Sequence, residues 1–139
     1  MQVIYCRRPN IGSLLLRTGM WSSWSHCGIV TPEMTVIEAA AFHGVIERPY
    51  ADFIASASKY SVKSIPLESD ALAVQWARSQ LGKPYDWSGA IGLAFHREWD
   101  DPSAWFCSEL IEAACMAGGR NRFVFNARRV TPQHSWMVA

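Results

Sequence analysis

The sequence predicts a single α+β domain, residues 1–139, built on a small antiparallel sheet, and two observations carry that expectation. Short strand-like runs follow one another along the first half of the chain, and the strongest helical patterns stand outside that set instead of alternating with it. Strict strand-helix alternation would have pointed to a doubly wound α/β fold. Length and composition agree: half of the 139 residues are hydrophobic and 18% are charged. A domain of this size buries roughly 68–70% of the surface exposed by its unfolded chain, so it needs no disulfide or metal to fold. No internal repeat, linker or low-complexity segment interrupts it.

Taken in order, residues 2–6 read as a strand, and Ile11, Leu14 and Leu15 after Asn10 suggest a short helix that Gly19 ends. Residues 25–30 and 36–40 read as strands joined by the turn Thr31-Pro32-Glu33-Met34-Thr35, and residues 44–48 as a third. Residues 50–56 suggest a short helix and 60–65 a further strand before Pro66. The clearest helix covers residues 69–81: Ser69 and Asp70 cap it, Leu72, Trp76 and Leu81 give it an apolar side, and Gly82 stops it. After the turn Lys83-Pro84-Tyr85-Asp86, residues 87–95 are expected to be helical, and a polar loop runs through Asp100-Asp101-Pro102. A last apolar helix spans residues 107–117 and closes at Gly118-Gly119.

Formal net charge is +1, with a local basic excess only at Arg7-Arg8 and between residues 120 and 129, so nucleic acid is not an expected partner. Seven tryptophans fit either core packing or an aromatic-walled groove or membrane-facing rim. There is no apolar run of 18 residues and no signal-peptide pattern, so no transmembrane segment is expected and the chain is assigned to the cytoplasm. The four cysteines, Cys6, Cys27, Cys107 and Cys115, are read as free thiols, and their spacing matches no zinc module. No cofactor is expected, and oligomeric state is not legible.

Among these thiols Cys107 has the setting that nucleophilic chemistry requires. It stands at the start of a helix, where unpaired N–H groups and the positive end of the dipole favour a thiolate and later an oxyanion. The alternative reading is a small buried hydrophobe, and Cys6, Cys27 and Cys115 fit that alternative. A thiol also needs an imidazole. His26 lies inside a strand that can aim it, whereas His43, His96 and His134 fall in loops. If Val30 faces Met34 across the turn, His26 stands directly opposite Glu38, whose carboxylate then fixes the imidazole tautomer. A slip of one residue would turn Glu38 to the other face. A metal site made of His26, Glu38 and Cys107 is a third use of the same residues, ranked below the other two.

Three segments in this order carry a resemblance: Trp24-Ser25-His26-Cys27-Gly28-Ile29-Val30 with Val36-Ile37-Glu38-Ala39, then Gly82-Lys83-Pro84-Tyr85-Asp86, then Phe106-Cys107-Ser108-Glu109-Leu110-Ile111. Together with Thr131-Pro132 they resemble the permuted branch of the NlpC/P60 superfamily, over roughly residues 12 to 132. The resemblance implies a circularly permuted papain-like α+β fold, its small antiparallel sheet packed against the cysteine helix. It also implies Cys107 as nucleophile, His26 as base and Glu38 as third member. Two positions depart from the pattern: Gly12-Ser13 where many relatives have Gly-Asp, and Cys27 where a small aliphatic is usual.

The expected activity is a cysteine-dependent hydrolase, an amidase, peptidase or lipid-acyl hydrolase, working through an acyl-enzyme on a peptide or lipid acyl substrate. Ser108 and Tyr85 are weaker candidates for the oxyanion site or cleft wall. An acyltransferase and a non-catalytic binding or structural module on the same fold are the alternatives. A cell-wall substrate would call for delivery by lysis or by a phage particle.

Overall fold

A computed structural model of the chain describes residues 1–9, 13, 14, 18, 21–87, 103–123 and 130–139. The elements run β1 (Gln2–Arg7), β2 (His26–Val30), β3 (Thr35–Ala40), β4 (Gly44–Pro49), α1 (Tyr50–Ala55), β5 (Lys59–Ser64), α2 (Asp70–Arg78), α3 (Cys107–Ala117) and α4 (Pro132–Met137). Among the described residues the strands form one antiparallel sheet in the order β4-β3-β2-β1-β5. Every strand and helix expected within these residues is present, with ends shifted by a residue or two, or three at the end of α2. The helix expected around Ile11–Leu15 lies mostly outside the described residues, as do the one expected over 87–95 and the loop at Asp100-Asp101-Pro102.

Alternation along the strands sorts the core into two layers. Val3, Tyr5, Cys27, Ile29, Ile37, Ala39 and Val45 share a cluster with Leu110, Ile111, Ala114 and Cys115 of α3, so the cysteine helix lies along one face. Ile4, Cys6, Val30 and Val36 point the other way and pack on Phe53 of α1. β1 is covered on both faces, which is why its sequence is a near-continuous apolar run. At the sheet edge β5 carries the exposed Lys59 and part-exposed Lys63, charges that discourage pairing with another chain.

Two expectations are corrected. Val30 pairs with Val36 and Ile29 with Ile37, so Val30 does not face Met34. The turn closes one step further out: Thr31 N–H donates to the Thr35 carbonyl at 2.9 Å, and Met34 adopts a left-handed conformation at φ 59°. Leu72 of α2 and Leu81, in the turn after it, are 54% and 42% exposed, and the buried side of α2 is Ala73, Val74 and Ala77. The reason is close packing: a Cβ on Gly118, at the end of α3, would lie 3.1 Å from the Ala73 Cβ and 2.7 Å from Leu67 Cδ1. Only small side chains fit that approach, and the large leucines are turned outward.

Candidate active site

His26 opens β2 and Glu38 lies mid-β3, side by side on the face that carries Cys6, Val30 and Val36. The observed register is two residues from the expected one, and an even shift preserves the face. The pair is therefore diagonal, across Gly28. A Cβ at Gly28 would sit 2.5 Å from Val36 Cγ1 and 3.4 Å from the Glu38 Cβ, so the missing side chain leaves the space through which the two residues meet. His26 Nε2 is hydrogen-bonded to Glu38 Oε2.

Glu38 is fully buried, and its oxygens have further partners. Arg48 Nε donates to Oε1, and Arg8 Nη2 donates to Oε2 at 3.1 Å. The two guanidiniums converge on the Ser56 hydroxyl at 3.4 and 3.0 Å, and both lie over the Phe53 ring, 5.0 and 5.5 Å from its centroid. The His26 ring stacks on Phe53 as well, at 5.8 Å. Burial alone would raise the Glu38 carboxyl, but the charge and hydrogen bond of His26, then Arg48 and Arg8, hold it down to about 2. Glu38 is thus a permanent anion.

Cys107 begins α3, after Phe106 in extended conformation. The acid three residues into the helix caps it: Glu109 Oε2 accepts from Phe106 N–H at 3.2 Å, and the first intrahelical bond runs from Leu110 N–H to the Phe106 carbonyl. The N–H groups of Cys107 and Ser108 therefore have no intrahelical acceptor. The His26 side chain and the side chain and backbone of Cys27 lie close enough to Cys107 to act on its thiol. Since Glu38 occupies Nε2, the ring nitrogen left for the thiol is Nδ1. Burial pushes the Cys107 thiol up, but hydrogen bonds from Cys27 and His26 and the imidazolium charge bring it down to about 5. Burial likewise works against a charged His26, yet the charge of Glu38 and the bonds to Cys107 and Glu38 raise it to about 9. All four cysteines are free and buried, and burial drives the others the opposite way: Cys6 to about 12, Cys115 to about 11, and Cys27 well above its ordinary value.

The structure brings Cys107, His26 and Glu38 together and sets Tyr85 beside them. The Tyr85 ring packs on Phe106 at 6.0 Å and Trp87 at 5.0 Å, and burial followed by the charge of Cys107 keeps its phenol protonated. Its segment also aligns the helix that begins at Cys107, because Trp105 N–H donates to the Pro84 carbonyl and Asp86 N–H to the Trp105 carbonyl, both at 3.0 Å. Ser108 is buried with its hydroxyl donated to the Val130 carbonyl, so what it offers a ligand is its backbone N–H. Arg8, Arg48 and Phe53 were not anticipated. Parity offered one signal, since Arg48 is two residues from Ile46, the partner of Glu38, and hence on its face.

Among the described residues no group of three or more His, Cys, Asp or Glu side chains is arranged to hold a metal ion. Glu38 in particular spends its oxygens on two guanidiniums and an imidazole, so the donor set does not fit a metal centre.

The comparisons with known proteins agree with the architecture. No curated protein matches. The crystal structure of the metalloprotein yiiX from Escherichia coli O157:H7 superposes with a TM-score of 0.67 at 23% identity, over 87% of this chain and 67% of that one. The family described as "Permuted papain-like amidase enzyme, YaeF/YiiX, C92 family" matches residues 4–137. With the match running through both the histidine strand and the cysteine helix, the chain belongs to this family of permuted papain-like, amidase-type enzymes.

Proposed function

We propose that the protein is a cysteine hydrolase in which Cys107 is the nucleophile, His26 the general base and acid, and Glu38 the residue that orients and charges His26. The observation that carries this reading is the placement of His26, hydrogen-bonded to Glu38, against a cysteine at the start of a helix; the contrast among the four buried thiols agrees with it, since one is drawn down to about 5 and the others are pushed up. The thiolate–imidazolium pair exists before substrate arrives. The Cys107 sulfur bonds to the carbonyl carbon of an amide or ester, and the displaced π electrons form an oxyanion that the unpaired N–H groups at the start of α3 receive. Protonated Tyr85 is a further donor beside it. As the tetrahedral adduct collapses, His26 gives its proton to the leaving amine or alcohol, and a thioester on Cys107 remains. His26 then takes a proton from water, the hydroxide adds to the thioester carbonyl, and the thiolate leaves. An amine or alcohol acceptor in place of water would make the same site an acyltransferase.

The substrate class is an acyl compound, a peptide amide or a lipid acyl group, and four unbridged thiols suit a reducing compartment such as the cytoplasm. Peptide-resolved iodoacetamide labelling across pH tests the nucleophile. Cys107 is expected to label far faster than Cys6, Cys27 and Cys115 at pH 6.5, and to lose that advantage in His26→Ala while the thermal melt still shows a folded chain. Uniformly slow labelling, or fast labelling indifferent to His26→Ala, would leave a papain-like scaffold without the nucleophile assigned to it. Incubation with activated acyl amides and esters, followed by intact mass measurement, identifies which acyl group stays on Cys107.

A further inference from the structure

The position at which the histidine strand departs from its expected pattern, Cys27, is placed against the reactive sulfur. It is fully buried in the same core cluster as Cys107, next in the chain to His26, and close enough that each thiol acts on the titration of the other. β2 therefore supplies the imidazole and, from the next residue, a second thiol. The proposed hydrolysis uses the first and has no chemical step for the second.

We propose that Cys27 is the resolving partner of a reversible oxidation site at Cys107, closing a disulfide between β2 and the start of α3 when a hydroperoxide has oxidised Cys107. This rests on the reading of Cys107 as a resting thiolate. The thiolate sulfur attacks one peroxide oxygen, the O–O bond breaks, and hydroxide or alkoxide leaves, so sulfur loses two electrons and the peroxide gains them. The Cys27 sulfur then attacks the Cys107 sulfenic acid, the S–O bond breaks, and the thiol proton leaves with the hydroxyl as water. Two thiols and one hydroperoxide become one disulfide, one alcohol or water, and one further water. A dithiol reverses the change.

The electrostatics favour that order of events. At rest Cys27 is held protonated, by burial first and then by its hydrogen bond to Cys107 and the charge there. Oxidation to the sulfenic acid removes that charge, so Cys27 becomes a better nucleophile at the moment its target forms. Of the other thiols, Cys115 is eight residues along the same helix, about 12 Å of rise away. Cys6 feels the Cys107 charge but stands opposite His26 in the ladder, on the face turned away from Cys27 and outside the cluster that holds Cys27 and Cys107, and it is the competitor that the test must distinguish. Access sets no further condition, since a route that admits a substrate carbonyl admits hydrogen peroxide. While the disulfide stands, Cys107 has no thiolate and the hydrolysis stops.

The test treats the full chain with a few equivalents of hydrogen peroxide at pH 7, blocks remaining thiols under denaturing conditions and maps the peptides by mass spectrometry, with the rate of Cys107 labelling by iodoacetamide measured beforehand. The expected result is a peptide linking Cys27 to Cys107, with Cys6 and Cys115 recovered as blocked thiols. Dithiothreitol should restore at least four-fifths of the untreated labelling rate. In Cys27→Ser, compared with its own untreated rate, the same dose should give Cys107 sulfinic acid and little recovery. Fast initial labelling followed by sulfinic acid in the parent chain, or by a link from Cys107 to Cys6, overturns the role of Cys27 and leaves the nucleophile standing. Slow initial labelling overturns both.

Discussion

At the scale of single residues the decisive group is Glu38, because it is a buried anion with more positive partners than it needs. Replacing it by glutamine keeps a hydrogen-bond acceptor for His26 but removes the charge that sustains the imidazolium. Two guanidiniums are then left facing a neutral amide. Glu38→Gln should lower stability in urea by roughly 2–3 kcal/mol, below the ~3–5 of a pair broken in the deep interior because both arginines keep some solvent contact. It should also move the midpoint of Cys107 labelling upward. Acid titration reads the same residue in the parent chain. Its carboxyl is held down to about 2 in the folded state, against an ordinary value of 4.5. The stability Glu38 contributes is therefore complete above 4.5 and lost as pH falls through about 2. Unfolding curves between those limits should show a loss that is absent from Glu38→Gln. Activity has its own window: the thiolate forms near 5 and the imidazolium is lost near 9, so kcat/KM should be bell-shaped with limbs near those values.

At the scale of elements, the site depends on how the segment after α2 is docked. Lys83 receives Val45 N–H on its carbonyl at 2.8 Å, and Gly82 N–H returns to the Val45 carbonyl at 2.9 Å. That exchange requires Gly44, at φ +73°, where a Cβ would stand 2.3 Å from the Lys83 carbonyl oxygen. Gly44→Ala should cost about 1–3 kcal/mol in backbone strain alone. It should also slow Cys107 labelling, because Pro84 and Asp86 hold Trp105 and hence the start of α3. A stable variant with unchanged labelling would show that α3 finds its place without this segment. Strands, turns and the cysteine helix follow from alternation, Gly and Pro positions and capping residues, all local signals. The register between β2 and β3 does not, because Met34 takes a left-handed conformation for which its side chain gives no cue. The exposure of Leu72 was equally hidden, since the close approach of α2 to Gly118 puts Ala73 on the buried side instead. His26 and Glu38 came together because parity survives a two-residue shift. Arg8 and Phe53 reach Glu38 and His26 only through the packing of α1 and the end of β1, and local pattern carries no record of that.

At the scale of the whole molecule, a second buried polar cluster joins the cysteine helix to the C-terminal segment and the central strand. Arg122 donates to Glu112 of α3 from Nε at 3.0 Å and again from Nη2, and Ser135 of α4 donates to Glu112 at 2.9 Å. Ser135 also meets the Tyr5 hydroxyl of β1 at 3.0 Å. Both charged groups are almost wholly buried. Burial raises the Glu112 carboxyl above its ordinary value even though Arg122 and Ser135 pull it down, so desolvation outweighs the attraction of the pair. That ordering predicts a specific pattern of mutants. Arg122→Met alone strands a carboxylate in the core and should cost roughly 3–5 kcal/mol in urea unfolding, whereas Glu112→Leu combined with Arg122→Met should recover most of the loss. Tyr5 and Ser135 keep each other as partners in the double variant. Because Glu112 sits in the second turn of α3, beyond the residues that contact His26, Cys107 labelling in the double variant should stay within about twofold of the parent, the range of a surface-like perturbation. A double variant no more stable than Arg122→Met would mean that the ion pair itself, and not the filling of the space, fixes α4 against the cysteine helix.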